Sequence, residues 1–319
     1  MRTVVLIPCY NEAPTVGKVV AEFKAADPSL DVYVYDNNST DDSARVAREA
    51  GAVVIREYRQ GKGFVVRSMF RDIEADCYVM VDADDTYRAR DALRLAEYVL
   101  SGQADMAIGD RLSTTYFAEN KRRFHGSGNQ AVRLLVNRLF HSDIHDIMTG
   151  SRAFSRLFVK TFPVLSTGFE IETEMTIHAL DKHLLVRELP IDYRDRPTGS
   201  ESKLNTVSDG ARVIKTVLSL FKDYRPLAFF GLIALLLFAV AVGCFIPPLR
   251  EYLATGRVNR LPLLVVSVGV GVSALLSLVC AAVLDSLRKQ ARQFYELLVT
   301  LRQEEIGRSQ SAQDRERGE

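Results

Sequence analysis

Short apolar runs alternate with segments of helical periodicity over the first two-thirds of the chain, and two much longer apolar runs occupy the last third. The short runs are rich in β-branched residues and predict strands at residues 3–8, 31–35, 53–55, 77–81, 105–108 and 184–193. Amphipathic helices are predicted at residues 14–26, 42–50, 62–74, 91–101, 127–140 and 170–183. Strand–helix alternation through short loops is typical of an α/β domain, with a mostly parallel sheet covered by helices on both faces.

The two long runs cover residues 227–246 and 261–284 and contain no charged residue. At about 1.5 Å per residue, each is long enough as a helix to cross a hydrocarbon layer of about 30 Å. We therefore expect two transmembrane helices, with Pro247-Pro248 ending the first, in preference to two buried core helices. This pattern excludes a purely soluble protein.

The segments that flank the long runs are amphipathic or charged. Residues 206–225 have the pattern of a helix at a membrane surface or of a helix packed on a protein core, and their position favours the first. Residues 286–306 continue as a charged helix, and the last dozen residues are expected to be disordered. The predicted layout is a leading domain at 1–204, a juxtamembrane helix at 205–226, two spans within 227–285, and a charged helix with a tail at 286–319.

Basic residues near the ends of the two runs predict their orientation. Seven of them lie outside the pair of runs, at Arg212, Lys215, Lys222, Arg225, Arg288, Lys289 and Arg292. Three lie in the connecting loop, at Arg250, Arg257 and Arg260. This excess, together with an N-terminus unlike a signal peptide, predicts a cell-membrane protein whose leading domain and both ends are cytoplasmic.

Composition narrows the class of protein further. Hydrophobic residues make up 47% of the chain and charged residues 25%, which excludes wholesale disorder. The net charge is +1, so we expect no nucleic-acid partner. The four cysteines form no Cys-x-x-Cys pair, so isolated thiols are expected rather than a zinc site or a disulfide framework.

The sharpest chemical signal is Asp82-Ala83-Asp84, directly after the fourth predicted strand. Two carboxylates two residues apart can face one hard divalent cation, which would neutralise charge on a departing diphosphate. The alternative is an acidic cluster at the start of a helix. Ligands of parallel α/β sheets bind beyond the carboxyl ends of the strands, where the loops after strands one, two and four should meet.

Four loop motifs, in order, resemble the nucleotide-sugar site of family 2 glycosyltransferases, which have the Rossmann-like GT-A fold. They are Pro8-Cys9-Tyr10-Asn11-Glu12, Asp36-Asn37-Asn38-Ser39-Thr40-Asp41, Gly61-Lys62-Gly63 and Asp82-Ala83-Asp84. The resemblance implies that Asp82 and Asp84 bind Mg²⁺ or Mn²⁺ on the donor diphosphate. It assigns donor binding to Pro8, Tyr10, Glu12, Asp36, Asn38, Gly61, Lys62, Asp82, Ala83 and Asp84.

Later motifs resemble the branch of this family that loads sugars onto polyprenyl or dolichyl phosphate, many bacterial members of which carry two C-terminal membrane helices. They are Gly109-Asp110-Arg111, the segments 146–152 and 168–174, and the segment 196–204. The branch implies inverting transfer of a hexose from a nucleotide diphosphate sugar, with UDP favoured over GDP, to a polyprenyl phosphate. It also implies a homo-oligomer, a tetramer. Asn37-Asn38 stand where the mannose synthases commonly have Asp-Gly, so the base and the sugar stay open.

A lipid phosphate is already anionic near neutral pH, so as a nucleophile it needs positioning and charge screening rather than deprotonation. We assign Arg111, Arg122, Arg123, Arg196 and Lys203 to the acceptor phosphate. For Lys121-Arg122-Arg123, the alternative is a solvated turn or contact with anionic lipid headgroups. Arg196 and Lys203 lie in a Gly- and Ser-containing segment that we expect to close over the substrate.

Carboxylates complete the predicted site. By resemblance, Asp146 lies near the acceptor, where it either acts as a base or orients an arginine such as Arg152. One residue of the set Glu170, Glu172 and Glu174 is expected to pair with a basic residue. The histidines lack metal-ligand spacing, and His125 either touches a phosphate or lies on the surface. The predicted catalytic set is Asp84, Asp146, Arg196 and Lys203.

Two rival functions stay open at this point. A processive polysaccharide synthase usually has more spans and a Gln-x-x-Arg-Trp acceptor motif, whereas this chain has no tryptophan. A non-catalytic membrane subunit that only binds nucleotide sugar is disfavoured by the intact Asp82-Ala83-Asp84 motif and by the basic segment from Arg196 to Lys203.

Overall fold

The computed structural model describes residues 1–113, 125–168, 170–194, 218–219 and 221–318, without the side chains of 125–129, 131 and 302–318. The chain forms two compact units. One comprises Met1–Asp209 with Leu298–Glu319, and the other comprises Gly210–Leu297.

A seven-stranded sheet forms the centre of the first unit, in the order β3-β2-β1-β4-β6-β5-β7. The strands are β1 Thr3–Cys9, β2 Asp31–Asp36, β3 Val53–Arg56, β4 Cys77–Met80, β5 Met106–Asp110, β6 Arg152–Ser155 and β7 Val186–Pro190. β6 runs antiparallel to its neighbours β4 and β5, and the other pairs are parallel. The predicted mostly parallel α/β sheet is confirmed.

Helices cover both faces of this sheet, as predicted. They are α1 Val16–Ala26, α2 Ser43–Glu49, α3 Lys62–Asp72, α4 Ala89–Leu100, α5 His125–Phe140, α6 Arg156–Thr161 and α7 Ile171–Asp181. Val5 and Ile7 of β1 share one buried core with α1 and α4. On the opposite face, Phe154 of β6 contacts the rings of Phe70 from α3 and Phe158 from α6, with centroids 5.6 and 4.8 Å away. Side chains alternate between the faces along each strand, so both faces bury apolar surface.

Among the elements that the structure describes, β6 and α6 are those that the sequence analysis did not predict. β6 is only four residues long and begins with an arginine, so its pattern is not that of a buried strand. Its place between β4 and β5 buries Arg152 completely. Tertiary context therefore decides this strand, because β propensity depends strongly on what surrounds the residue.

Two helices in the last third of the chain are long and apolar enough to cross a membrane, and both begin in the second unit. α8 spans Pro226–Thr255, and α9 spans Leu261–Gly318, of which Leu261–Leu301 is the candidate span. Their most apolar windows have mean hydropathies of 2.8 and 2.5, and only 6% and 11% of those windows is buried. These two helices are therefore unlike the buried core helices that were the alternative.

Two predictions about this region are wrong. α8 continues through Pro247-Pro248 and ends before Gly256, whose φ of 67° and N–H bond to Tyr252 O form the helix stop. Prolines remove helix hydrogen bonds, but the apolar sequence continues on both sides of them, and Gly256 adopts the left-handed conformation at no steric cost. α9 is helical to Gly318, where a disordered tail was expected, because Gln, Glu and Arg favour helix and no proline interrupts them.

Of the predicted juxtamembrane helix, residues 218–219 and 221–224 are helical, and most of the segment lies outside the described residues.

Candidate functional site

The loops after β1 and β2 are joined to each other by hydrogen bonds. The N–H of Asn11 donates to Ser39 Oγ at 3.0 Å, and Asn11 Oδ1 accepts from the N–H of Thr40 at 2.8 Å. The N–H of Glu12 donates to Ser43 Oγ at 2.8 Å. Asn11 itself is left-handed, with a φ of 52°. The first two predicted donor motifs, which include Tyr10 and Asp36, therefore form one connected surface at the carboxyl ends of the strands.

Asn37 connects this surface to the loop that precedes α3. Its Nδ2 donates to the carbonyl oxygens of Glu57 and Arg59, at 3.1 and 2.7 Å, and its Oδ1 accepts from the N–H of Gly61 at 2.7 Å. The sequence analysis assigned Asn38 to the donor and gave Asn37 no role. Asn38 donates to Tyr58 O at 2.8 Å. No local signal separates two adjacent asparagines, since the difference between them comes from a loop some twenty residues away.

Asp82 and Asp84 follow β4 at the same edge of the sheet. The Asp84 side chain is buried, and its Oδ1 accepts from Thr86 Oγ1 at 2.6 Å. α4 begins later, after its N-cap Arg88, and the N–H of its first residue, Ala89, donates to Glu22 Oε1 at 3.1 Å. The alternative of a helix-start cluster is therefore wrong for this pair. The carboxylates of Asp82 and Asp84 offer the oxygen ligands that a hard divalent cation prefers. Asp82 already binds one cation, the ammonium of Lys62.

The ammonium beside Asp82 belongs to Lys62, the first residue of α3. Its Nζ lies 2.6 Å from Asp82 Oδ1 and 2.5 Å from Glu172 Oε1, and its side chain is 11% exposed. Burial alone lowers the pKa of Lys62, but the two carboxylates outweigh it and raise that pKa above its ordinary value. The ammonium is therefore charged. The expected pairing of one glutamate from the 170–174 segment with a basic residue is confirmed for Glu172.

Glycines allow the close approaches around this group. A Cβ on Gly150 would lie 2.1 Å from Asp82 Oδ2. A Cβ on Gly63 would lie 2.0 Å from Ser166 O, and one on Gly61, whose φ is 135°, would lie 2.1 Å from Thr167 O. Any side chain at these positions would displace backbone or the Asp82 carboxylate.

A second charged pair joins Arg111, just after β5, to Asp146. Arg111 Nε and Nη2 donate to the two Asp146 oxygens at 2.7 and 3.0 Å, and Asp146 is fully buried. Arg111 Nη1 donates to Tyr87 Oη at 3.2 Å, and that oxygen also accepts from the N–H of Gly150 at 3.0 Å. Two residues, Tyr87 and Gly150, thus connect Arg111 to Asp82 through three successive contacts.

Asp146 orients an arginine, as one alternative predicted, but that arginine is Arg111 and not Arg152. Arg152 instead donates to Thr149 O at 3.1 Å, to Ile147 O at 2.5 Å and to Thr176 Oγ1 at 2.9 Å. Burial lowers the pKa of Arg152 to about 10. The first residue of β6 thus ties the 147–149 loop to α7.

Glu188 of β7 holds the backbone that carries Asp146. Its Oε1 accepts from the N–H groups of His145 and Asp146 at 3.0 and 2.8 Å. Its Oε2 lies 2.9 Å from His145 Nδ1, and this contact raises the pKa of His145 above 6.5. The sequence analysis missed Glu188, because it lies 42 residues from Asp146.

Asp110, His145 and Glu188 bring their possible ligand atoms within 4.8 Å of one another, the one such group of three among the residues that the structure describes. The histidines lack metal-ligand spacing along the chain, but the fold brings one of them, His145, next to two carboxylates. Asp110 accepts from the N–H groups of Leu112 and Ser113 at 2.8 and 3.2 Å. Glu188 accepts two N–H groups as well, so the cluster is already a hydrogen-bonded anchor for the 145–146 loop.

Four predicted acceptor residues, Arg122, Arg123, Arg196 and Lys203, lie outside the described residues, as does the side chain of His125. Their roles stay predictions.

Comparison with known proteins gives the family. Residues 4–162 match the model of the glycosyl transferase family 2. The chain is 31% identical over 301 residues to glycosyltransferase AglJ of Haloferax volcanii, which covers 92% of this chain and 97% of that protein. It is 30% identical over 223 residues to a dolichyl-phosphate hexose transferase of the same organism, which covers 69% of this chain and 94% of that protein.

The fold has solved relatives. Glucosyl-3-phosphoglycerate synthase from Mycobacterium tuberculosis superposes with a TM-score of 0.54 at 20% identity, over 69% of this chain and 79% of that chain. At this identity the likeness shows the fold alone. The sheet order, the loops at its carboxyl edge and the match along nearly the whole of AglJ agree, and the chain belongs to glycosyltransferase family 2, as a hexosyltransferase of the GT-A fold.

Proposed function

We propose that this glycosyltransferase moves a hexose from a nucleoside diphosphate sugar, with UDP as the favoured nucleotide, to a polyprenyl phosphate in the membrane. The observation that carries the proposal is the fixed guanidinium of Arg111, which Tyr87 and Gly150 connect to Asp82. An anionic acceptor needs such a cation beside the donor diphosphate.

The donor side of the proposal rests on Asp82, Asp84 and Lys62. Asp82 and Asp84 would hold Mg²⁺ or Mn²⁺, which neutralises charge on the departing nucleoside diphosphate when it is bound. The M. tuberculosis synthase was solved with Mn²⁺ and UDP, which supports the same cation and nucleotide here. The connected loops that contain Tyr10 and Asp36 are assigned to the nucleoside, with Pro8, Glu12, Asn38 and Ala83 beside them.

The acceptor side rests on Arg111 and Asp146. Since the lipid phosphate is already anionic, no general base is required, and Asp146 serves to fix the Arg111 guanidinium in one orientation. A single displacement at the anomeric carbon then inverts its configuration without a covalent enzyme intermediate. Arg122, Arg123, Arg196 and Lys203 are proposed as further phosphate contacts. The H. volcanii relative named as a dolichyl-phosphate hexose transferase supports a lipid phosphate acceptor.

The location of the reaction follows from α8 and α9. We propose that both helices cross the cell membrane and that the GT-A unit faces the cytoplasm, where nucleotide sugars are made. The excess of basic residues outside the pair of spans supports this orientation. Assembly as a homo-oligomer, with the tetramer as the specific expectation, is part of the proposal.

Direct product analysis tests the function. The purified full-length protein is incubated in detergent with polyprenyl phosphate, Mg²⁺ or Mn²⁺, and a panel of nucleotide sugars, and the lipid is analysed by mass spectrometry. We expect one hexose per lipid phosphate with at least one donor, and none with the Asp84→Asn variant. Long glycans would favour a processive synthase instead. Donor binding without turnover on any acceptor would favour a non-catalytic subunit.

A further inference from the structure

Lys62 lies between two carboxylates. Its ammonium is 2.6 Å from Asp82 Oδ1 and 2.5 Å from Glu172 Oε1. Glu172 is 6% exposed and Lys62 11%, so water screens these charges only weakly. Of the two carboxylates that bind the ammonium, Asp82 is the one assigned to the divalent cation.

The two oxygens of Asp82 have different neighbours. A Cβ on Gly150 would lie 2.1 Å from Oδ2, so the backbone of Gly150 lies directly against that oxygen. The Lys62 ammonium contacts the other oxygen, Oδ1. A divalent cation that binds Asp82 through Oδ1 therefore competes with the ammonium of Lys62 for the same atom.

Hydrogen bonds hold the backbone around Lys62, and its ammonium also contacts Glu172. The N–H of Gly63 donates to Thr167 O at 3.2 Å, and the loop before Thr167 is held by Glu174, which accepts from the N–H groups of Leu165 and Ser166 at 3.0 and 2.8 Å. Glu174 lies on α7 two residues after Glu172. If the ammonium leaves Asp82, only the side chain of Lys62 needs to move, and Glu172 still binds it.

We propose that Lys62 is a resident counterion of the metal site. Its ammonium neutralises Asp82 until a divalent cation binds there, and Glu172 retains the ammonium once the cation has displaced it. This inference rests on the proposed metal-binding role of Asp82 and Asp84, but it concerns cation affinity and not transfer. The arrangement neutralises a partly buried carboxylate in the metal-free protein, and it weakens divalent-cation binding in return.

Calorimetric titration of Mn²⁺ into the full-length protein in detergent, without nucleotide, tests the inference. Lys62→Gln and Lys62→Met remove the competitor, so we expect Mn²⁺ to bind about tenfold more tightly, the equivalent of one charge-assisted contact. Glu172→Gln removes the second partner and leaves Lys62 to Asp82, so we expect Mn²⁺ to bind several-fold more weakly. When Lys62 is already replaced by Gln, adding Glu172→Gln should weaken Mn²⁺ binding much less than it does in the wild type.

Lys18→Met is the matched control. Lys18 forms an ion pair with Asp85, the residue after Asp84, so its removal deletes the same charge close by without freeing Asp82. We expect its Mn²⁺ affinity to stay within about twofold of the wild type. Circular dichroism establishes that each variant is folded, and a larger rise in melting temperature on Mn²⁺ addition should accompany the tighter binding of the Lys62 variants.

Two results overturn the inference. One is unchanged or weaker Mn²⁺ binding, or none, in both folded Lys62 variants. The other is an equal gain in Lys18→Met, which would show a general effect of charge. Failure of the proposed function is a separate result, because it appears as the absence of lipid-linked hexose in the wild-type product assay, whatever the Mn²⁺ titrations give.

Discussion

Asp82 and Asp146 are both carboxylates near the carboxyl edge of the sheet, and both are paired with a cation, but they are held differently. Asp82 is 27% exposed and contacts the ammonium of a lysine through Oδ1. Asp146 is fully buried, and both of its oxygens accept from one arginine. Lysine is a point charge that exchanges partners easily, whereas the planar fork of arginine fixes direction as well as charge. On the proposed assignment, the donor side would allow exchange of cations, whereas the acceptor side would keep a fixed geometry.

The largest effect on activity is expected from removing the charge of Asp84. Asp84→Asn keeps an oxygen for the Thr86 hydrogen bond but loses the negative charge. We expect turnover to fall by about a thousandfold, because a bridging cation contributes several kcal/mol to transition-state stabilisation. Excess EDTA should do the same to the wild type. Thr86→Val, which removes only the 2.6 Å bond to Asp84, is the control and should cost less than about tenfold. Full activity of Asp84→Asn, or of the wild type in EDTA, contradicts the metal assignment.

The next largest effect is expected from replacing the arginine that pairs with Asp146 by a lysine. Arg111→Lys keeps the charge but gives up the paired bonds to Asp146. We expect transfer to lipid to fall by roughly a hundredfold, because the acceptor cation is no longer held in one direction. Donor affinity, measured by calorimetry, should stay within about twofold. Equal losses of donor affinity and transfer would move Arg111 to the donor site and remove the contrast between the two sides.

A steric change tests the contact that links the two sides. Gly150→Ala would put a Cβ 2.1 Å from Asp82 Oδ2, so the carboxylate or the loop must shift. We expect a loss of about tenfold in activity and weaker Mn²⁺ binding, since an atom displaced by about 1 Å commonly has an effect of this size or larger. Gly231→Ala is the control, because a Cβ there meets nothing within 4 Å. Wild-type kinetics in Gly150→Ala would show that Asp82 is free to adjust.

The smallest effect concerns the anchor behind Asp146. The Glu188 hydrogen bond raises the pKa of His145 above 6.5, so this interaction stabilises the folded state fully below pH 6.5 and is lost as pH rises through the raised value. Glu188→Gln should return the pKa of His145 toward 6.5, as followed by NMR titration. It should also lower kcat for transfer several-fold, with the KM for donor unchanged. An unchanged His145 titration would exclude Glu188 as its partner in solution.

Local pattern was enough to predict most elements of the α/β sheet, the loops at its carboxyl edge, and two long apolar helices. Alternation and helical periodicity record which face of a segment is buried, and that information lies within a few neighbouring residues. The same limit explains the misses. β6 is a strand because β4 and β5 enclose it, and α8 continues past Pro247 because its real stop is Gly256.

The choice of partners was decided by tertiary structure. The pattern of the chain predicted that Asp82 lies at the carboxyl edge of the sheet, and the family resemblance assigned Asp146 and Arg111 to the acceptor. The sequence by itself did not determine that Asp146 binds Arg111 rather than Arg152, that Lys62 joins Asp82 to Glu172, or that Glu188 holds the backbone of Asp146. Each of these partners is at least 35 residues away from the other along the chain, except Lys62 and Asp82, which are 20 apart. Which ion pairs form depends on the distance and direction between charged groups, to within a few tenths of an ångström in distance. Only the packed sheet and its glycine contacts establish that geometry.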